Sequence, residues 1–164
     1  GCQPGHAQEC HHGAQGCNGH ADAASPSLQD DTVVARYGVD KQSTGGNHHR
    51  NLTDAQLQAL AEKGGVVQIT FYKGFLREDG KATIDDVVAH ILHAIDVAGI
   101  DHVGIGSDFD GDGGVPGLAS AAEMINLTRR LKAAGLNQSQ LRKIWGGNFI
   151  HIMSQARFQG EIKL

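Results

Sequence analysis

Asp108 follows the short apolar run Val103-Gly104-Ile105-Gly106-Ser107, within the stretch GIDHVGIGSDFDG at 99–111. A carboxylate at a strand's end, ahead of a Gly-rich loop, is suited to metal ligation, acid/base chemistry or holding a substrate amine. In parallel α/β folds such chemistry gathers at the C-terminal ends of strands. Tyr72 takes a second position of this kind, closing the β-branched and aromatic run from Val66. The alternative for the Asp108 loop is calcium, because Asp108-x-Asp110-x-Asp112-Gly113 matches the first half of an EF-hand loop. That match ends at Ala119, which stands where the bidentate Glu belongs, and a strand rather than a helix precedes the loop. Asp110 and Asp112 then read as solvated turn formers.

The remaining metal-competent side chains are less well arranged. Cys2, His6, Cys10, His11, His12, Cys17 and His20 crowd the first 20 residues. Zinc sites pair their cysteines tightly, as in C-x2-C, and these cysteines are not so paired. The cluster implies adventitious metal affinity rather than a built site. His90 and His93 fall opposite the apolar stripe of their helix and are expected to be exposed. His102, just before a strand, reads as structural. His48 and His49 sit beside Arg50 near the rim, with side chains expected to diverge. No residue is assigned as a metal ligand.

Recognisable elements surround these residues. Thr53 with Gln56 forms a capping box, the stripe Leu57, Leu60, Ala61 follows, and Gly64 stops the helix. The Val66 to Tyr72 run is a strand, and a loop from Lys73 to Lys81 comes next. Thr83 with Asp86 opens a second helix, with Ile84, Val87, Val88, Ile91, Leu92, Ile95 and Ala98 on one face and Gly99 at its end. Val103–Ser107 is a buried strand whose glycines imply close approach of another backbone. Ser120 with Glu123 opens a third helix ending at Gly135, Asn137 with Gln140 a fourth, and Asn148 a fifth. Helix–strand alternation of this kind implies a parallel sheet covered by helices. No G-x-G-x-x-G stands between strand and helix, so a dinucleotide-binding fold is unsupported.

The bulk properties narrow the functions. With 164 residues, net charge −4 and three cysteines, all within the first 17 positions, the chain fits one domain without a disulfide framework. The acidic balance disfavours nucleic acid as a partner, and no apolar run reaches the roughly 18 residues of a membrane span. A reducing, cytoplasmic compartment is the default. Residues 1–30 contain a single Leu and no Ile, Val, Met, Phe, Tyr or Trp, too little apolar surface to offset ordering entropy. Residues 1–47 are therefore expected to be a poorly structured leader, 48–157 the folded part and 158–164 a tail. The initial Gly suggests that the true start is missing.

Four blocks in order carry a family resemblance: His49-Arg50-Asn51-Leu52-Thr53-Asp54, GGVVQITFY at 64–72, GIDHVGIGSDFDG, and WGGNF at 145–149. Together they resemble the membrane (renal) dipeptidase family of zinc metallopeptidases, bacterial type, from about His48 to Met153. The resemblance implies the C-terminal portion of a (β/α)8 TIM-like barrel, two zinc ions in an intact member, and hydrolysis of dipeptides with tolerance of a D-residue at the C-terminal position. It implies that Arg50 binds the substrate carboxylate, that Asp108 is catalytic and holds the free amine, and that Tyr72 contacts substrate. The family's zinc ligands lie mostly in the first half of the barrel, and the His expected about eleven residues before Arg50 is Val39 here. The Val33-Val34-Ala35 run is a trace of the strand leading to it. A truncated gene or a shifted reading frame would explain the leader. The expectation is a metallodipeptidase fragment with weak or no activity of its own, and the alternative is a non-catalytic fragment or pseudo-enzyme. Exposed strand edges favour homo-oligomer formation.

Overall fold

The computed structural model describes residues 34–37 and 48–159. Three strands, β1 (Val34–Tyr37), β2 (Val66–Thr70) and β3 (Val103–Ser107), form one parallel sheet in the order β1-β2-β3. The run anticipated as a strand trace at 33–35 is thus a strand, one residue further on and continued to Tyr37. The cysteine- and histidine-rich cluster lies outside the described residues.

Between β1 and β2 runs α1 (Asp54–Glu62), and between β2 and β3 run α2 (Lys73–Leu76) and α3 (Ile84–Ala98). After β3 come α4 (Met124–Ala133), α5 (Gln138–Arg142) and α6 (Asn148–Gln159). Three helix starts follow from local chemistry. Reciprocal capping boxes form at Thr53/Gln56, Thr83/Asp86 and Asn137/Gln140, each satisfying backbone N–H groups that helix geometry leaves free. At the third helix the expected cap differs. Ser120 makes no capping bond, a 3-10 turn at Ala121–Glu123 precedes α4, and Glu123 Oε2 instead accepts from the Ala119 N–H.

Strand alternation divides β2 into two faces. Val67 and Ile69, with Phe71 just beyond, join Leu57, Leu60, Val87, Ile91, Val103, Leu127 and Leu131 in one apolar cluster on the helix side. Gln68 and Thr70 turn to the other face, where Gly104 and Gly106 of β3 stand opposite. A Cβ at Gly106 would lie 3.0 Å from the Gln68 carbonyl oxygen, which is the close approach anticipated from the glycines of this strand.

His90 corrects the helical wheel. It is fully buried on α3, and its Nε2 bonds to the Leu76 carbonyl at 3.1 Å. The short helix α2, in the segment expected to be a loop, brings that carbonyl beneath α3, so a polar tip on an apolar face finds a partner there. His93 is also half-buried, with Nε2 2.7 Å from Asp54 Oδ1 of α1. His102 Nδ1 lies 2.8 Å from the Gly65 carbonyl and ties the approach to β3 to that of β2.

The last helix starts through a π-helical turn, Lys143–Gly147, with Gly146 at φ 148°. Asn148 at the head of α6 turns inward, and its amide donates to the carbonyls of Ile100 (2.7 Å) and Val103 (2.8 Å). The WGGNF block therefore clamps α6 to the entry of β3. No described helix is long and apolar enough to cross a membrane.

Candidate functional site

The C-terminal ends of β2 and β3 open into a cavity of about 480 Å³, lined by His48, His49, Arg50, Thr70, Tyr72, Phe75, Asp108 and Gly111. Its size suits a small ligand. All three residues singled out from sequence, Arg50, Tyr72 and Asp108, meet in it.

Asp108 is set by a distorted strand end. The register of β2 and β3 slips between Ile69 and Thr70, so Ile69 pairs with Ile105 while Thr70 pairs with Ser107. This bulge re-aims the chain. Ser107 (φ 49°) and Asp108 (φ 68°) then adopt left-handed backbone, which is costly for residues with a Cβ. Hydrogen bonds hold them there: the Asp108 carbonyl accepts from Gly111 N (3.0 Å) and Gly113 N (2.8 Å). A Cβ at Gly113 would overlap the carbonyl oxygens of Ser107 and Asp108, so this turn closes only over glycine. The loop then pairs back on β2 through a Tyr72–Gly113 bridge and a Gly114 N–H to Phe71 carbonyl bond of 2.9 Å. Asp110 and Asp112 are exposed, as expected for turn formers.

Tyr72 sits differently from the expectation. The strand ends at Thr70, Phe71 enters the core, and Tyr72 occupies the N-cap position of α2 with 36% exposure. Its ring meets Phe75 edge-on at 4.9 Å. Phe75 is the aromatic floor that sequence reading missed. The His48 ring lies 4.8 Å from it and the Arg50 guanidinium 5.2 Å above it, a cation–π arrangement. Asn51, also missed, fastens this edge: its side-chain amide donates to the Phe75 carbonyl at 2.8 Å, and its N–H to the His48 carbonyl. A second aromatic three positions after Tyr72 was the available signal.

His48 and His49 stack at 4.3 Å rather than diverge. Burial, then the neighbouring His49 and Arg50 charges, push the His48 imidazole below its usual range. The neutral ring is free to accept, and His48 Nδ1 receives the Arg50 N–H at 3.2 Å. Thr70, 2% exposed, has a hydroxyl with no hydrogen-bond partner among the described residues.

Zinc, which the resemblance implies, needs converging His, Cys, Asp or Glu side chains. Among the described residues no three of these stand together as a metal site. The rim histidines face each other and the Arg50 backbone, and the described residues do not fit a metal centre. The same finding leaves the Asp108 loop without a calcium-like cluster.

Comparison with known proteins bears on the family of the chain. The membrane dipeptidase (peptidase family M19) model matches residues 43–162. An uncharacterised dipeptidase of Schizosaccharomyces pombe is 41% identical over 109 residues, covering 64% of this chain and 26% of that protein. A dipeptidase of Claviceps purpurea is 34% identical over 110 residues, covering 66% of this chain and 26% of its own. Among solved structures, a metallopeptidase from Rhodobacter sphaeroides, liganded with a phosphinate mimic of the dipeptide L-Ala-D-Ala, superposes with a TM-score of 0.67 at 34% identity, over 74% of this chain and 35% of that one. The chain thus spans about a quarter of the length of these two curated relatives. With the family model covering most of its length and the matched region holding the whole described cavity, the chain belongs to the membrane dipeptidase family, peptidase family M19.

Proposed function

We propose that this chain forms the substrate-gripping part of a dipeptidase site. In this reading β1, β2 and β3 are consecutive strands of a (β/α)8 barrel, and their C-terminal ends form part of its mouth. The observation that carries the reading is the meeting of Arg50 and Asp108 in one small cavity. A dipeptide carries a carboxylate and an ammonium only a few bonds apart. Arg50 offers a planar fork for the carboxylate, kept in position by Phe75 beneath it. Asp108 offers an acceptor for the ammonium and, on cleavage, a group beside the leaving nitrogen that can hold its proton. Tyr72 and Phe75 supply apolar surface between the charged ends. Gripping both ends selects for length, because a tripeptide cannot satisfy both. The bound L-Ala-D-Ala mimic of the Rhodobacter sphaeroides relative supports a short dipeptide as the ligand.

Two zinc ions would supply an activated water and polarise the scissile carbonyl in an intact family member. What the residues described here contribute is binding and orientation. Binding without cleavage is the second reading, favoured by the want of a metal-ligand cluster among the described residues.

The experiment is calorimetric titration of the chain with L-alanyl-D-alanine. Asp108→Asn and Arg50→Lys are each expected to weaken binding about tenfold or more, since a hydrogen bond to a charged group contributes about 1.5–3 kcal/mol. Unchanged affinity in both variants would remove the proposed grip. Hydrolysis by the same chain, abolished by a chelator, would decide for catalysis over binding alone.

A further inference from the structure

Gly111 lines the cavity beside Asp108, and no function so far accounts for it. A Cβ built on Gly111 would lie 2.8 Å from Asp108 Oδ1, 3.2 Å from Cγ and 3.3 Å from Oδ2. The three nearest atoms it would meet all belong to that one carboxylate. Gly111 also lacks the positive φ that would by itself demand glycine, unlike Gly114 and Gly117 in the same loop. Backbone conformation therefore leaves alanine open here, and only the flexible end of a single side chain would have to yield to it. That separates Gly111 from Gly113, where a Cβ would strike backbone.

We infer that Gly111 is a positioning residue: its missing side chain leaves the space in which the Asp108 carboxylate stands facing the cavity. The inference rests on the reading of Asp108 as the ammonium-binding group. Because the Asp108 backbone is held by the Gly111 and Gly113 N–H bonds, the carboxylate can escape an added methyl group only by rotating about its own side-chain bonds. Rotation costs the fold little and moves the oxygens off the ammonium position. Gly111→Ala should thus behave as a loss of Asp108 without loss of Asp108.

A double-mutant cycle tests this on the full 164-residue chain. L-Alanyl-D-alanine affinity and melting temperature are measured for the wild type, Gly111→Ala, Asp108→Asn and the double variant. Expected are an unchanged melting temperature in Gly111→Ala, an affinity about tenfold lower and close to that of Asp108→Asn, and no further loss in the double variant. Additive losses, or wild-type affinity in Gly111→Ala, would overturn the positioning role while the Asp108 reading stands. A large fall in melting temperature would overturn it too, because the carboxylate would not then be the part that yields. Wild-type affinity in Asp108→Asn, or no binding by the wild type, would remove the Asp108 reading and this inference with it.

Discussion

Arg50 and Asp108 bring opposite charges into one cavity from positions 58 apart in sequence, and the parts that hold them are as informative as the charges. Arg50 rests over Phe75, which Asn51 fixes through its carbonyl. Asp108 hangs on left-handed backbone braced by two N–H groups. Thr70 adds a buried hydroxyl that finds no partner among the described residues. Burying such a group costs free energy, and valine has nearly the same shape without the hydroxyl. Thr70→Val is therefore expected to stabilise the protein by about 1 kcal/mol in urea unfolding; a loss of similar size would show that the hydroxyl is bonded. At this scale sequence reading singled out Asp108, Tyr72 and Arg50, which line one cavity; Asp108 and Tyr72 were chosen as strand ends, a position that only Asp108 keeps, and Arg50 from the resemblance. Phe75, Asn51 and Thr70 were not singled out, because each takes its role from a partner distant in sequence or in a neighbouring turn. His90 misled for the same reason: its helical angle says polar face, but α2 supplies a buried carbonyl.

Elements governed by local chemistry were legible, and those governed by tertiary contacts were not. Three of the four helix starts read from sequence as capping pairs are capping boxes as expected, and the fourth, Ser120 with Glu123, is not, because Glu123 turns to the Ala119 N–H. The short helix α2 and the π-helical turn at Lys143–Gly147 left no local signature. The turn exists to deliver Asn148 to two carbonyls at the entry of β3. Asn148→Ala should cost about 2 kcal/mol, as one buried and one part-buried carbonyl lose their shared donor group; stability equal to wild type would refute the clamp. The turn between α2 and α3 carries a pH dependence. Arg77 grips Asp79 through two bonds (3.1 and 2.9 Å), and this bonding, then the Lys81 N–H, holds the Asp79 carboxyl at about 2, below its usual 3.8. A depressed folded value means that the contribution is complete above the usual value and is lost as pH falls towards 2. His48 adds a milder dependence at higher pH. Its folded value is also depressed, so protonation opposes the fold and stability declines as pH drops below 6.5. Acid unfolding of wild type and Asp79→Asn should converge near pH 2; a constant difference down to that pH would contradict the assignment.

At the scale of the molecule, β1 and β3 each have an edge without a partner strand among the described residues, and Ile125, Ile150 and Met153 are exposed. Such edges and apolar side chains favour association. Light scattering should show mass rising with protein concentration, and a monomer at all concentrations would contradict this. The α/β class and the parallel pairing of the strands were legible from alternation alone, whereas the strand order and the cavity appear only once the strand ends and the 48–51 turn meet. The central claim is that this cavity grips both ends of a dipeptide. Titration of the chain with L-alanyl-D-alanine, its N-acetyl derivative and its C-terminal amide tests it most directly. Binding that falls about tenfold on blocking either end is the predicted result; equal binding of all three would contradict it.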